Sequence, residues 1–269
     1  MNFLKRYKDL FNKDLSKYES LKLNQCIRVN SLKINQNSLR KRLEKKGVKL
    51  NKFQEDGYEV LRSKIPIGAT PEYLEGLYYI QEKASQYPIL LLNPQPGELI
   101  LDMTASPGGK TTQISQFMDN KGIIIALDIK TRRLNALKNN VQRMGCTNVI
   151  IYNKDARYIE DFKLKFDKVL LDAPCSGNFI TDKNWLDRRT LDDIKSRQKI
   201  QRQLICAGIS VLKPGGTLVY STCSFEPEEN EDIIKFTLKE FSNIKLEESE
   251  RFWPPETQGF YVAKLKKLI

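Results

Sequence analysis

ELILDMTASPGGKTTQISQFMDNKGIIIALD (residues 98–128) reads as strand, glycine loop, helix and strand. ELILDM (98–103) is a short apolar run that stops at a loop containing Gly108 and Gly109. KTTQISQFM continues with helical spacing, and GIIIALDI (122–129) is an unbroken apolar run of the kind buried on both faces. A strand, helix and strand joined this closely predict a parallel pair with a right-handed crossover.

The same alternation continues toward the C-terminus. RRLNALKNNVQRMG (132–145) is a helix closed by glycine, and NVIIYN (148–153) and KVLLDAP (168–174) are strands. LDDIKSRQKIQRQLICAGISVL (191–212) is a long helix, GGTLVYSTCS (215–224) a strand and EENEDIIKFTLKEF (228–241) a helix. QGFYVAKLKK (258–267) reads as a last strand. The pattern predicts a Rossmann-like α/β fold, a parallel, doubly wound sheet. Toward the N-terminus the texture changes. Residues 2–12 look helical, CIRVNSLKI (26–34) alternates as a strand, NSLRKRLEKKG (37–47) is a helix, and VKLNKF and YEVLRSK are two more strands. The expected division is a small α+β region over 1–75 and the α/β domain over 76–269.

Composition narrows the chemistry. The 269 residues carry a net charge of +12, which points to a polyanionic partner, nucleic acid first among them. A lysine-rich proteome would also account for part of it. There is no histidine, which excludes Ser-His-Asp and Cys-His catalysis. The five cysteines are odd in number, spread along the chain and free of any CxxC pair, so neither a disulfide framework nor a zinc site is expected, and no metal is. No apolar run approaches a membrane span and the charged start MNFLKRYKDLFNKDL lacks a signal-peptide core. The expectation is a cytoplasmic, soluble monomer with no membrane contact.

The glycine loop, DMTASPGGKT (102–111), falls where open α/β sheets bind ligands. Gly109, Lys110 and Thr111 match the end of a P-loop, but its first glycine would be residue 104, which is Thr104. The GxGxxG of a dinucleotide fold is absent. In a methyltransferase such a loop cradles the methionine moiety of the cofactor, and an acid at the end of the second strand binds the ribose. Asp128 stands there, 20 residues after Gly108, and Asp155 after the third strand is placed to meet an adenine. Position leaves these readings open, together with a loop that binds nothing.

Two cysteines fall on the same ligand edge, Cys175 in DAPCSG after the fourth strand and Cys223 in STCS at the end of the fifth. An isolated cysteine is usually a small buried hydrophobe, and Cys206, at an apolar position in the long helix, is read that way, while Cys26 and Cys146 carry no functional context. The quoted motifs, together with IRVNSLKI (27–34), YIQEKASQ (79–86), LDMTASPGGKT (101–111), LDAPCSG (171–177) and PGGTLVYSTCSFEPEENE (214–231), resemble those of the Nop/Sun family of RNA cytosine-5 methyltransferases, in the family's order. Ser106 stands where that family usually has alanine.

The resemblance implies S-adenosyl-L-methionine as cofactor and RNA as partner. It implies cofactor contacts from Thr104, Ala105, Ser106, Pro107, Gly108, Gly109, Lys110, Asp128, Arg133, Asp155 and Asp172. It implies Cys223 as the nucleophile and Cys175 as the residue that assists product release. Carbon 5 of cytosine is a poor nucleophile until a thiolate adds to carbon 6, and a cysteine supplies thiolate near neutral pH. With no histidine, activation is expected from helix N-termini, Lys110 or other cations, and Asp172 is expected at the cytosine N3/N4 edge. The small N-terminal region becomes an RNA-binding appendage, with Arg28, Lys33, Arg40, Arg42, Lys45 and Lys46 as its basic residues. Arg188, Arg189, Lys195, Arg197 and Arg202 form a second basic group. A chain this short, without room for a further C-terminal RNA-binding domain, suggests tRNA as the substrate, with ribosomal RNA second. A non-catalytic RNA-binding protein on the same fold is the alternative of another class.

Overall fold

A computed structural model describes residues 2–269. Its first part holds α1 (Phe3–Phe11), β1 (Cys26–Val29), α2 (Gln36–Lys45), β2 (Lys49–Lys52), β3 (Gly57–Arg62), α3 (Pro71–Leu74) and β4 (Tyr78–Ile80). The strands form an antiparallel sheet in the order β2-β3-β1-β4. Helix α2 starts where the Asn35 side chain accepts the Ser38 N–H, and it buries Leu39 and Leu43 against the sheet.

Two features depart from the sequence reading. The strand expected over 26–34 stops at Val29, because Asn30 turns the chain. Its side-chain amide donates to the carbonyls of Gly76 and Met144 at 2.8 and 2.7 Å, and its own carbonyl accepts from Lys33 and Ile34. The sheet also runs past residue 75, since β4 supplies its edge at 78–80. Helix α1 packs elsewhere: Phe3 and Tyr7 join Phe179, Trp185, Ile194 and Phe225 in a separate apolar cluster.

The rest comprises α4 (Tyr87–Leu92), β5 (Leu99–Asp102), α5 (Gly109–Phe117), β6 (Ile123–Leu127), α6 (Thr131–Met144), β7 (Val149–Tyr152) and β8 (Phe166–Asp172), followed by α7 (Trp185–Arg188), α8 (Leu191–Ser210), β9 (Leu212–Thr222), α9 (Glu231–Glu240), β10 (Ile244–Phe252) and β11 (Phe260–Lys267). The seven strands lie in the order β10-β11-β9-β8-β5-β6-β7. Strands β5 to β9 are parallel, as the short connections predict, while β11 runs antiparallel to β9 and β10 antiparallel to β11. The sheet is therefore mixed at one edge. Period-two alternation covers both faces: Ile100, Leu170 and Val219 pack under α4 and α5, while Leu101, Leu171 and Tyr220 pack under α8 and α9.

Strand β5 is where this order reverses direction. The chain runs outward through β6 and β7, then returns to β8 on the other side of β5. That reversal opens a crevice outside the carboxyl ends of β5 and β8. Among the described residues no helix is long and apolar enough to cross a membrane.

Candidate active site

Asp172 ends β8 and lies in register with Ser221 near the end of β9. Ala173-Pro174-Cys175 and Cys223 follow directly out of these neighbouring strands. Cys175 Sγ consequently sits 3.2 Å from Cys223 Sγ, with both side chains partly exposed. Cys223 is held below the usual thiol range, chiefly because the Cys175 thiol donates to it, with Lys110 a lesser positive influence. Cys175 is pushed the other way by that same contact, by burial and by the Glu229 carboxylate. The sequence pointed to helix ends and cations as activators of a thiol; the strongest influence is the second thiol.

Lys110 Nζ donates to Asp172 Oδ2 at 2.7 Å, and the Ser221 hydroxyl donates to Oδ1 at 2.8 Å. Both Asp172 oxygens are thus engaged, so a cytosine would reach them only by sharing or displacing these donors. Beneath the loop is Asp102, to which the sequence assigns no role. It is fully buried, accepts the Thr111 hydroxyl at 2.7 Å, and its carboxyl is pushed up to about 6 by desolvation. Its place as the last residue of β5 was the available signal.

The glycines serve different ends. Gly108 precedes α5 at φ +107°, a left-handed conformation that suits glycine, and a Cβ there would stand 3.0 Å from Leu137 of α6. The positive φ and the contact with α6 both favour glycine there. A Cβ on Gly109 would come 3.3 Å from the Tyr79 ring.

A cavity of about 420 Å³ opens at the crevice and is lined by Thr104, Ser106, Asp128, Arg133, Asp155, Asp172, Cys175 and Cys223. It lies within the range of small-molecule sites. A smaller hollow of about 180 Å³ shares Thr104, Ser106 and Asp172 and adds Ala105, Pro107, Gly109 and Lys110, facing Tyr79 and Gln81. The expected cofactor residues thus split between two adjoining hollows, and Gly108 lines neither. At the cavity wall, Asp128 Oδ2 and Ser106 Oγ are buried without a hydrogen-bond partner. Asp128 Oδ2 has only an ion contact at 3.4 Å with Arg133, whose guanidinium also donates to the Ser106 carbonyl. An acceptor and a hydroxyl left open at one cavity suit a polar ligand such as a ribose. Asp155 lines the cavity too, but Arg157 holds both its oxygens, at 2.6 to 3.1 Å.

The basic residues divide. Arg28, read as an RNA contact, is fully buried. Lys33 is tied by its ammonium to the Glu75 and Arg143 carbonyls, and Lys46 to Glu72. Arg40, Arg42 and Lys45 on α2 and Lys195 and Arg202 on α8 are exposed. Burial of Arg28 was legible only as a charge inside the apolar strand CIRV.

Residues 89–266 match the family described as "16S rRNA methyltransferase RsmB/F", and residues 1–83 match the "N-terminal domain of 16S rRNA methyltransferase RsmF". The chain is 37% identical to a tRNA (cytosine(49)-C(5))-methyltransferase of Pyrococcus abyssi, over 91% of this chain and 88% of that protein. It is 38% identical to the 25S rRNA (cytosine-C(5))-methyltransferase nop2 of Schizosaccharomyces pombe, over 90% of this chain and 46% of that protein. Across five such rRNA and tRNA relatives the chain spans 34% to 53% of their length. A crystal structure of a methyltransferase homolog protein from Pyrococcus horikoshii superimposes with a TM-score of 0.90 at 40% identity, over 99% of this chain and 94% of that one.

Proposed function

The chain belongs to the RsmB/F group of the Nop/Sun RNA cytosine-5 methyltransferases, and from that premise we propose that it methylates carbon 5 of a cytosine in tRNA, with Cys223 as nucleophile. The observation that carries this reading is the pair of sulfurs 3.2 Å apart on the wall of the cavity that also holds the unpartnered Asp128 Oδ2. A non-catalytic binder has no use for two thiols in mutual contact beside such an acceptor.

The residues divide the work between them. Cys223, with its pKa depressed, adds as thiolate to carbon 6 of the base and turns carbon 5 into an enamine carbon. S-adenosyl-L-methionine, when bound, supplies the electrophilic methyl group for that carbon. Asp128 would hold its ribose hydroxyls, with Ser106, Arg133 and Asp155 along the same wall and the backbone of Thr104 to Lys110 around its methionine end. Water in the open cavity then takes the carbon 5 proton as base, the electrons of that C–H bond restore the carbon 5–carbon 6 double bond, and the Cys223 sulfur leaves with its bonding pair. Cys175 is placed to donate its S–H to that departing thiolate, which is how it would assist release. Lys110 fixes Asp172 at the edge of the base.

The reacting cytosine must leave its stack to expose carbon 6, at a cost of a few kcal/mol recovered from other contacts. The exposed Arg40, Arg42, Lys45, Lys195 and Arg202 can supply phosphate contacts for this. A tRNA is favoured because a relative covered over 88% of its length is a tRNA enzyme. Action as a cytoplasmic monomer completes the reading. The test is bisulfite sequencing of tRNA and rRNA after incubation with protein and cofactor. A new 5-methylcytosine in tRNA is expected; methylation of rRNA alone would change the substrate, and none in either would reject the reading.

A further inference from the structure

Behind the two sulfurs lies a carboxylate that this chemistry does not use, and the part assigned to it rests on the proposed roles of Cys223 and Cys175. Glu229 is fully buried. Its Oε1 accepts the Ser176 backbone N–H at 2.9 Å and the Gln201 amide at 3.1 Å, and its Oε2 accepts the Ser176 hydroxyl at 2.5 Å. Every neighbour donates to it, the pattern an ionised carboxylate requires. Burial pushes this carboxyl up and the donors oppose that shift. The Ser176 N–H belongs to the peptide that follows Cys175. Gln201 also donates to the Pro174 carbonyl at 3.0 Å, so the chain is held on both sides of the thiol. The Tyr220 hydroxyl donates to the Glu229 carbonyl at 2.6 Å and ties it to β9, the strand that delivers Cys223.

We propose that Glu229 is a positioning residue for the thiol pair: by gripping Ser176 it sets Cys175 against Cys223 and keeps the sulfurs in contact. It touches neither substrate nor cofactor. Packing alone would not call for a charge here, because an ionised carboxylate is costly to bury. Its charge has a use at Cys175, where an adjacent anion opposes loss of the thiol proton. Cys175 therefore remains a donor to Cys223, both at rest and when that sulfur departs. The other titratable groups around the pair, Lys110, Asp172 and Tyr220, lie on the Cys223 side or in the sheet beneath.

The test reads the thiol directly. In a Cys223→Ser background, where only one sulfur of the pair titrates, iodoacetamide alkylation of Cys175 is followed by peptide mass spectrometry from neutral to alkaline pH. Glu229→Gln should move the midpoint to lower pH and speed neutral alkylation by about tenfold, the effect of one pKa unit. With Cys223 restored, kcat should fall by about tenfold or more while the KM for S-adenosylmethionine stays within about twofold. A folded Glu229→Gln protein whose alkylation profile is unmoved overturns the proposal. Should that variant not fold, Glu229→Asp keeps the charge but withdraws the oxygens. An ordinary midpoint with reduced kcat then supports positioning, and an unchanged kcat overturns it. Alkylation needs neither RNA nor cofactor, so failure of the unsubstituted chain to methylate cytosine would reject the functional reading and leave the thiol result standing.

Discussion

Arg28 Nη1 lies 2.7 Å from the carbonyl of Gly109, so a buried guanidinium in β1 of the small sheet holds the first residue of the helix that follows the glycine loop. The same group reaches the side chains of Gln81, Thr112 and Gln116. No carboxylate touches it, and desolvation lowers its pKa to about 10. The small sheet and the glycine loop are thereby tied together through Arg28.

Arg28→Met should leave the Gln81 and Gln116 side-chain carbonyls without this donor, at about 1–3 kcal/mol for each group left unsatisfied. Urea denaturation should show a loss of that order or more, and S-adenosylhomocysteine should bind more weakly. The salt dependence of RNA affinity should be unchanged, since a buried arginine neutralises no phosphate. Arg42→Ala and Lys45→Ala should instead each flatten the salt slope by about one unit. A flattened slope for Arg28→Met would contradict its structural role, and RNA affinity indifferent to salt would contradict a phosphate-dominated interface.

Asp128 offers the cavity an oxygen with no hydrogen-bond donor, its one contact there being the Arg133 ion pair at 3.4 Å. Asp128→Asn keeps its size and removes its charge. Losing a charged hydrogen bond costs about 1.5–3 kcal/mol, or roughly ten- to a hundredfold in affinity. Calorimetric titration with S-adenosylhomocysteine reads this directly; an affinity within twofold of the original would remove Asp128 from the ribose site. In the unsubstituted protein, S-adenosylhomocysteine should raise the melting temperature and ATP should not, which separates the methyltransferase from the P-loop reading.

Stability should fall as pH rises from about 4.5 to about 7. Glu226 is buried, accepts the Tyr7 hydroxyl at 2.5 Å, and has its carboxyl pushed up from 4.5 to about 7, chiefly by desolvation. Between those values the folded chain keeps a proton that the unfolded chain releases, so folding is progressively penalised, by up to about 3 kcal/mol once pH passes 7. Asp102, pushed up to about 6, acts in the same direction. Denaturation midpoints should decline between about pH 4.5 and 7 and then level off, and Glu226→Gln should shallow the decline. An identical slope in Glu226→Gln would show that this carboxyl is not the source.

The parallel half of the sheet was legible because its strands are short apolar runs between glycine-closed helices, and GIIIALDI and KVLLDAP became β6 and β8. β10 was not, because Ile244–Phe252 reads IKLEESERF, a charged edge strand with one outer side in water. The glycine loop and both cysteines could be placed from the ends of their strands. Arg28 was misread because basic charge alone does not distinguish a surface cation from one buried among amides. The thiol contact and the Glu229 grip were invisible, since they join residues 48 and 53 positions apart through the register of β8 and β9.

The central claim is that Cys223 makes the covalent bond and Cys175 is needed to break it. It is tested most directly by incubating Cys175→Ala and Cys223→Ala proteins with tRNA and S-adenosylmethionine and resolving the products on a denaturing gel. The account predicts an RNA–protein adduct that accumulates with Cys175→Ala and is absent with Cys223→Ala; an adduct that forms with Cys223→Ala instead would reverse the two roles.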